Sequence, residues 1–562
     1  GPRSIDFLNG LLSLVKFGLS YCYGGVGRYN WWMTSDCSKY RVANVNDGAL
    51  GNLTFAPSDG SAAYKITDEL ATLLTAGRLS RLSRQVIDDV IRFEPNKTIA
   101  LTKAQQLIVL SPEFHVTNLV RQNNMLRPEP EVPVPSAKPY KAIVYVLLDG
   151  GMDSFNLLVP HTCTETNSDG LNLLAQYNSE RTTLALTTTE RTRIIDATGQ
   201  PCSQFAIHKD LEIVERLYKA GDLAFFANAG VLNQPVNKDN YWRVTKTGLF
   251  GHNTMQEEAQ QLDPFDTAPG TGVLGRMCDV LKLKGFKAQP ITVQDFSVAT
   301  VGVPGSGIDP LLVSSYETNR FNPLSSGDTF IVKPYLKQLN KETESQSSLY
   351  GEIWSENLNK ALNDNEAILQ ALSITKLNNT FPTTDYASKL RVVSSLIGSH
   401  KQRGTDRDVF YLNMGGWDHH SEMKDGLSSN FVRLNEALTV FYKEMQAQGK
   451  WNGVTVVFTS DFARTLTANS GEGSDHAWGG HYFVMGGAVK GGKIHGSYPS
   501  DITSTGPLNI GRGRIIPTLS WESVLNPIVE WMGVDQESEL NYCMPNRIKS
   551  GAPLFMQSEI FE

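Results

Sequence analysis

Residues 408–460 decide the fold. DVFYLNMGGWDHH (408–420) is an apolar run that ends at two glycines, LSSNFVRLNEALTVFYKEMQAQG (427–449) carries apolar residues at helical spacing, and GVTVVFTS (453–460) is a second apolar run. The outer runs have strand length; the middle one has helix length and closes on Gly449. The stretch therefore reads as a β-α-β unit, with a crossover long enough for two parallel strands. Working outward, AIVYVLL (142–148) is a fully apolar run bounded by Asp149-Gly-Gly, as a strand buried on both faces should be. LAFFANAG (223–230) follows the helix-like HKDLEIVERLYKAG, and HYFVMGGAV (481–489) adds a further strand. The pattern predicts an α/β fold, a doubly wound and mostly parallel sheet with helices on both faces.

The first 125 residues differ. ITDELATLLTAGRLSRLSRQVIDDVIRF and LTKAQQLIVLSPEFHVTNLV have helical spacing, but too few helices are present to cover their apolar faces. This segment reads as the tail of a larger domain, or an arm that docks elsewhere. Alternating prolines at 126–140 make an extended linker that no helix crosses. Residues 141–562 are expected to form the α/β domain.

The 562 residues suffice for a large core, and 40% apolar with 19% charged residues is ordinary for a globular chain. A net charge of -7 argues against a nucleic-acid partner, which needs a basic face. IDFLNGLLSLVKFGLSYCYGG, interrupted by Asn9 and Lys16, reads as an amphipathic helix rather than a membrane span. The start at Gly1 suggests a processed or incomplete product. Six cysteines without a C-x-x-C pair argue against a zinc knuckle, and Cys22 with Cys37 and Cys163 with Cys202 are near enough in sequence to pair. Sequons at Asn52, Asn96 and Asn378 offer N-glycan acceptors and, with that start, point to an extracellular or cell-surface protein.

Ligands of open parallel sheets bind outside the carboxyl ends of the strands. The first strand delivers Asp149 and Asp153 to that edge; the strand at 408–414 delivers Asp418, His419 and His420. The strand at 453–460 delivers Asp461 and Arg464, and the loop after it Asp475, His476 and His481. Four of ten histidines fall within 419–481. Carboxylates converging with imidazoles can hold one divalent cation, with zinc, manganese or calcium favoured over copper. Each residue also has a plainer reading. Asp149 suits a helix cap or turn, one of the adjacent His419 and His420 is structural, and Arg464 can simply pair with an acid.

In order, Gly-Gly-Met-Asp-Ser-Phe-Asn…Pro (150–160), Gly-Trp-Asp-His-His (416–420), Ser-Asp-Phe-Ala-Arg-Thr (460–465), Asn469, Gly-Ser-Asp-His (473–476) and Met-Gly-Gly-Ala-Val-Lys-Gly-Gly (485–492) resemble the secreted family called domain of unknown function 1501. The N-terminal segment resembles the tail of a second family, domain of unknown function 1800. The first resemblance implies the alkaline-phosphatase and sulfatase superfamily: an alkaline-phosphatase-like core with metal ligands at its strand ends, hydrolysing phosphate or sulfate esters. It matches Asp149 or Asp153, then Asp418 and His420, then Asp461, with His476 as the last imidazole. Phe462 stands where the superfamily has the histidine of an Asp-His pair, so at most one tightly held ion is expected. Ser154 would be the nucleophile and Arg464 an anion clamp. No G-x-S-x-G elbow, Rossmann fingerprint or Walker loop offers another chemistry. The alternative is a catalytically silent structural or assembly protein that keeps the fold, its partner a second copy or an upstream domain.

Overall fold

The computed structural model describes residues 4–17, 19–20, 49–51, 55–130, 133–313, 321, 329–344 and 346–562. Contacts divide the chain into two compact units, residues 1–132 with 318–370 and residues 133–317 with 371–562.

The second unit holds strands β1 Lys141–Asp149, β2 Leu158–Thr162, β3 Arg193–Asp196, β4 Gln204–Ile207, β5 Leu223–Gly230, β6 Ala288–Val293, β7 Leu311–Val313, β8 Arg407–Gly415, β9 Val454–Ser460, β10 Gly480–Gly486, β11 Lys493–Gly496 and β12 Leu519–Ser520. Nine of them form one sheet in the order β11-β5-β10-β9-β1-β8-β6-β7, with β12 beside β5; β2, β4 and β3 form a small antiparallel sheet. The large sheet is parallel except at β10, which runs antiparallel to both β9 and β5. Ala142 through Leu148 of β1 are all fully buried. A strand covered on both faces tolerates only such an unbroken apolar run.

The β-α-β reading of 408–460 holds, with one refinement. The helix Met423–Ala447 carries the chain from β8 to β9, and β1 lies between those two strands, parallel to each. The carboxyl ends of β1, β8 and β9 therefore share one edge of the sheet, in the register Asp149 opposite Gly415 and Leu148 opposite Ser460. Strands β6, β7, β11 and β12 escape the sequence pattern because they are short, and β6 contains Pro290.

In the first unit, helices Ala63–Thr75, Arg81–Phe93 and Lys97–Val109 pack around Leu70, Ile87, Leu107 and Ile108. Their apolar faces are completed by Leu336, Leu339, Leu358 and Leu362. These four come from segment 318–370, which the sequence reading gave to the α/β domain; the shared core shows why 1–125 alone looks incomplete. Side-chain hydrogen bonds tie the two segments together, with Gln122 Nε2 donating to the Leu339 carbonyl at 2.6 Å and Trp354 Nε1 to that of Leu110 at 3.3 Å.

The amphipathic N-terminal stretch forms helix Ser4–Phe17, and no described helix is long and apolar enough to cross a membrane. Cys163 and Cys202 are disulfide-bonded, tying the end of β2 to the approach of β4. Cys22, Cys37 and Asn52 lie outside the described residues. Asn96 caps the helix that follows it through a bond from Ile99 N, and Asn378 donates to Glu444 at 3.2 Å.

Candidate metal centre

The turn after β1 sets the geometry. Gly150 lies at φ +119°, and a Cβ there would come within 2.5 Å of the Asp418 amide; one on Gly151, at φ +79°, would strike the Phe462 ring at 2.4 Å. Two glycines in succession thus let the β1 turn nest between the loops that follow β8 and β9.

Three side chains converge beyond that turn. His252, Asp418 and His476 each offer one ligand atom, all within 4.8 Å of one another. Asp418 follows β8, His476 sits between β9 and β10, and His252 opens the helix His252–Gln261. The hydrogen bonds orient both rings. His476 Nδ1 lies 2.8 Å from the Phe250 carbonyl, which can only accept. That nitrogen therefore carries the proton, and the free Nε2 lies 3.4 Å from Asp418 and 3.0 Å from His420 Nε2. His252 Nδ1 meets Asp461 Oδ2 at 2.6 Å, leaving Nε2 on the inner side, 3.5 Å from Asp418 Oδ2. His252 Nε2 is buried and has no hydrogen-bond partner. His420 Nε2 approaches Asp418 Oδ1 and His476 Nε2, both at 3.0 Å, while its Nδ1 is 3.2 Å from Asp475. An orphaned imidazole nitrogen, two further imidazole nitrogens and a carboxylate, all facing inward, fit a divalent cation.

Electrostatics follow the same contacts. The Asp461 hydrogen bond outweighs burial and raises the pKa of His252. Burial lowers that of His476, opposed by the Phe250 carbonyl. Burial alone would push Asp418 up, but the Arg464 hydrogen bond and charge hold its carboxyl below the usual value.

The remaining sequence candidates separate. Asp461 is fully buried; Oδ1 accepts from Gly150 N at 3.1 Å, and Oδ2 takes both His252 Nδ1 and Gln256 Nε2. Its part is to orient His252, in the manner of carboxylates behind metal-ligating imidazoles. Asp149 is held by Asn413 Nδ2 at 2.8 Å and by Gln256, and reaches the triad only through Gln256 and Asp461. Asp153 is elsewhere: fully buried, it pairs with Arg181 and accepts from the Phe155 and Asn156 amides. His419 is the structural member of its pair, its ring turned against Gly426 and toward Asn430. Ser154 is fully buried, and its hydroxyl accepts from the His481 amide at 2.9 Å. Arg464 is also buried, donating to the carbonyls of Gly150, Gly151 and Ser474 and to Asp418. It ties the β1 turn to the ligand loop instead of facing an incoming anion.

Sequence reasoning missed His252 and Gln256. Phe462, which cannot coordinate, packs its ring 4.9 Å from that of His252 and 4.6 Å from that of His476. The imidazole absent beside Asp461 in sequence is supplied from 209 residues upstream. Its one local signal is a Gly-His step opening a helix-like run, GHNTMQEEAQQ (251–261).

The family model described as "Protein of unknown function (DUF1501)" matches residues 140–507. No curated protein matches the chain. Among solved structures, the chain is similar to the lipoteichoic acid synthase LtaP from Listeria monocytogenes, with 9% identity over 76% of this chain and 94% of that one, TM-score 0.29. It is similar to the C-terminal periplasmic domain of EcEptC from Escherichia coli in complex with Zn, with 8% identity over 64% and 77%, TM-score 0.26. A protein in the alkaline phosphatase superfamily from Vibrio parahaemolyticus gives 9% identity over 68% of each chain, TM-score 0.26. At such scores the architecture stands on the strand order given above.

Proposed function

The chain belongs to the DUF1501 family, and on that premise we propose that its α/β unit is a metal-dependent hydrolase of phosphate or sulfate esters, exported to the cell surface or beyond. The observation that carries this reading is the convergence of His252, Asp418 and His476 within 4.8 Å. Two imidazoles with one carboxylate favour zinc or manganese over calcium, which prefers an all-oxygen shell. A divalent ion bound there supplies Lewis acidity for an ester oxygen and for water. Asp461 fixes the ring of His252, the Phe250 carbonyl fixes that of His476, and buried Arg464 fixes Asp418. Phe462 walls the site with an apolar ring. The Cys163–Cys202 bridge supports an oxidising compartment, where exposed Asn96 and Asn378 could carry glycans.

A second reading has its own observation. Ser154, the hydroxyl that the sequence offers as nucleophile, is buried on the His481 amide and turned from the triad, and His420 is close enough to serve as a fourth ligand. A shell closed by four protein ligands is the mark of a structural ion. That would make the protein a silent scaffold, for assembly with a second copy or an upstream domain. Metal analysis of the purified chain, followed by assay on aryl phosphates and aryl sulfates with and without chelator, separates the two. The hydrolase reading expects one ion per chain and turnover that is lost with the ion and in His252→Ala. A bound ion with no turnover on either ester class leaves the scaffold.

A further inference from the structure

An anionic ester has more charged oxygens than one ion covers, and Arg464, the cation that the sequence offers for them, is fully buried. We infer that Arg512 is that residue: its guanidinium grips the phosphate or sulfate group of the substrate while the ester faces the triad. The inference rests on the hydrolase reading above.

Arg512 stands at the tip of a tight turn closed by the bridge between Asn509 and Ile515. Asn509 Oδ1 accepts from the Gly511 and Gly513 amides at 2.9 and 3.2 Å, and the Ile510 amide donates to the Arg514 carbonyl at 2.9 Å. Arg512 itself has φ +58°, between glycines at +105° and +73°. A side chain held in left-handed backbone is costly unless its surroundings enforce it. Here the enforcement aims it. Arg512 Nη2 donates to Asp475 Oδ2, and Asp475 Oδ1 faces His420 Nδ1 at 3.2 Å and Asn469 Nδ2 at the same distance. His420 Nε2 is then 3.0 Å from Asp418. Two side chains thus join the guanidinium to the metal-ligand group, and the Arg512 side chain remains 49% exposed.

Arg512 differs from the neighbouring arginines in its link through Asp475 and His420 to Asp418. Arg514 donates to the His476 carbonyl and lies over the Phe250 ring, and Arg433 donates to Asn430. A guanidinium has five N–H donors in a planar fork, so one ion pair to Asp475 leaves donors for two oxygens of a tetrahedral oxyanion. Arg512 also covers the Asp475 charge, which would otherwise repel the substrate. Its removal therefore acts twice, deleting a donor fork and baring a carboxylate.

The test is calorimetric titration of inorganic phosphate, and separately of inorganic sulfate, into the zinc-loaded 562-residue chain. Arg512→Gln should weaken oxyanion binding by roughly thirtyfold, and Arg512→Lys, which keeps charge but not the fork, by roughly three- to tenfold. Both variants should keep the zinc stoichiometry of the parent, which excludes collapse of the turn as the cause. Equal oxyanion affinity in parent and variants overturns the assignment of Arg512 and leaves the hydrolase reading standing. Loss of zinc from the variants also overturns it, since Arg512 would then act by holding Asp475 and His420. A zinc-loaded parent that binds neither oxyanion brings down both the inference and the ester reading.

Discussion

His252 and Asp461 meet at 2.6 Å although 209 residues separate them in sequence. The carboxylate is fully buried at the end of β9 and the imidazole opens a helix that follows β5 at a distance. The contact fixes which nitrogen of His252 faces Asp418 and His476.

Removing the orienting carboxylate should therefore weaken the ion without removing a ligand. Asp461→Asn is expected to raise the dissociation constant for zinc about 10- to 100-fold, the range usual for partners that hold metal-ligating imidazoles. His252→Ala, which deletes a ligand atom, should weaken it further. Competition titration with a zinc-responsive chelator measures both. Parent-like affinity in His252→Ala would remove His252 from the ligand set.

Asp153 gives the opposite expectation. Both members of its pair with Arg181 are completely buried. Taking away one partner strands a charge in the interior, at a cost of about 3–5 kcal/mol. Asp153→Ala should lower the melting temperature strongly while leaving one zinc per chain at ordinary affinity. If thermal stability is kept and zinc is lost, Asp153 belongs to the metal after all.

These two aspartates show how far the sequence reaches. Buried strands such as β1 announce themselves as unbroken apolar runs, and an Asp after each strand follows from the shared carboxyl edge. What those carboxylates do depends on partners that no local spacing reveals. Asp153 and Asp461 look alike as strand-end acids, yet one finds Arg181 and the other His252, both remote in the chain. Phe462 was legible as a gap in the ligand pattern, but the residue that fills the gap was not, because a helix start carries no mark of what it will face. The segment 318–370 was misassigned for the same reason: its leucines complete a core begun by Leu70 and Leu107, and only the folded chain brings them together.

The Cys163–Cys202 bridge closes a loop of 39 residues. Chain-entropy reasoning gives such a link about 2–4 kcal/mol of stability, drawn from the unfolded state. The double replacement of Cys163 and Cys202 by Ser should lower the urea midpoint accordingly, and reductant should do the same to the parent. Reductant should not shift the midpoint of the double variant. An equal shift in both proteins would mean that the effect comes from elsewhere.

The helix that begins with His252 also carries Glu258, which is buried. Burial, together with the nearby Glu522 carboxylate, raises its pKa from 4.5 to about 8, against a hydrogen bond from Thr247 and the charge of Arg276. Native Glu258 therefore holds its proton more firmly than the unfolded chain does. Its contribution to stability is fully present below pH 4.5, declines as pH rises, and is lost above about pH 8. Glu258→Gln is neutral at every pH and should escape that decline. Parent and variant are expected to melt at similar temperatures near pH 5, and the variant several degrees higher at pH 9. Calorimetry on chelator-treated protein makes the comparison, so that metal binding adds no pH dependence of its own. Melting curves that run parallel from pH 5 to 9 would show that Glu258 ionises in the native state as readily as in the unfolded one.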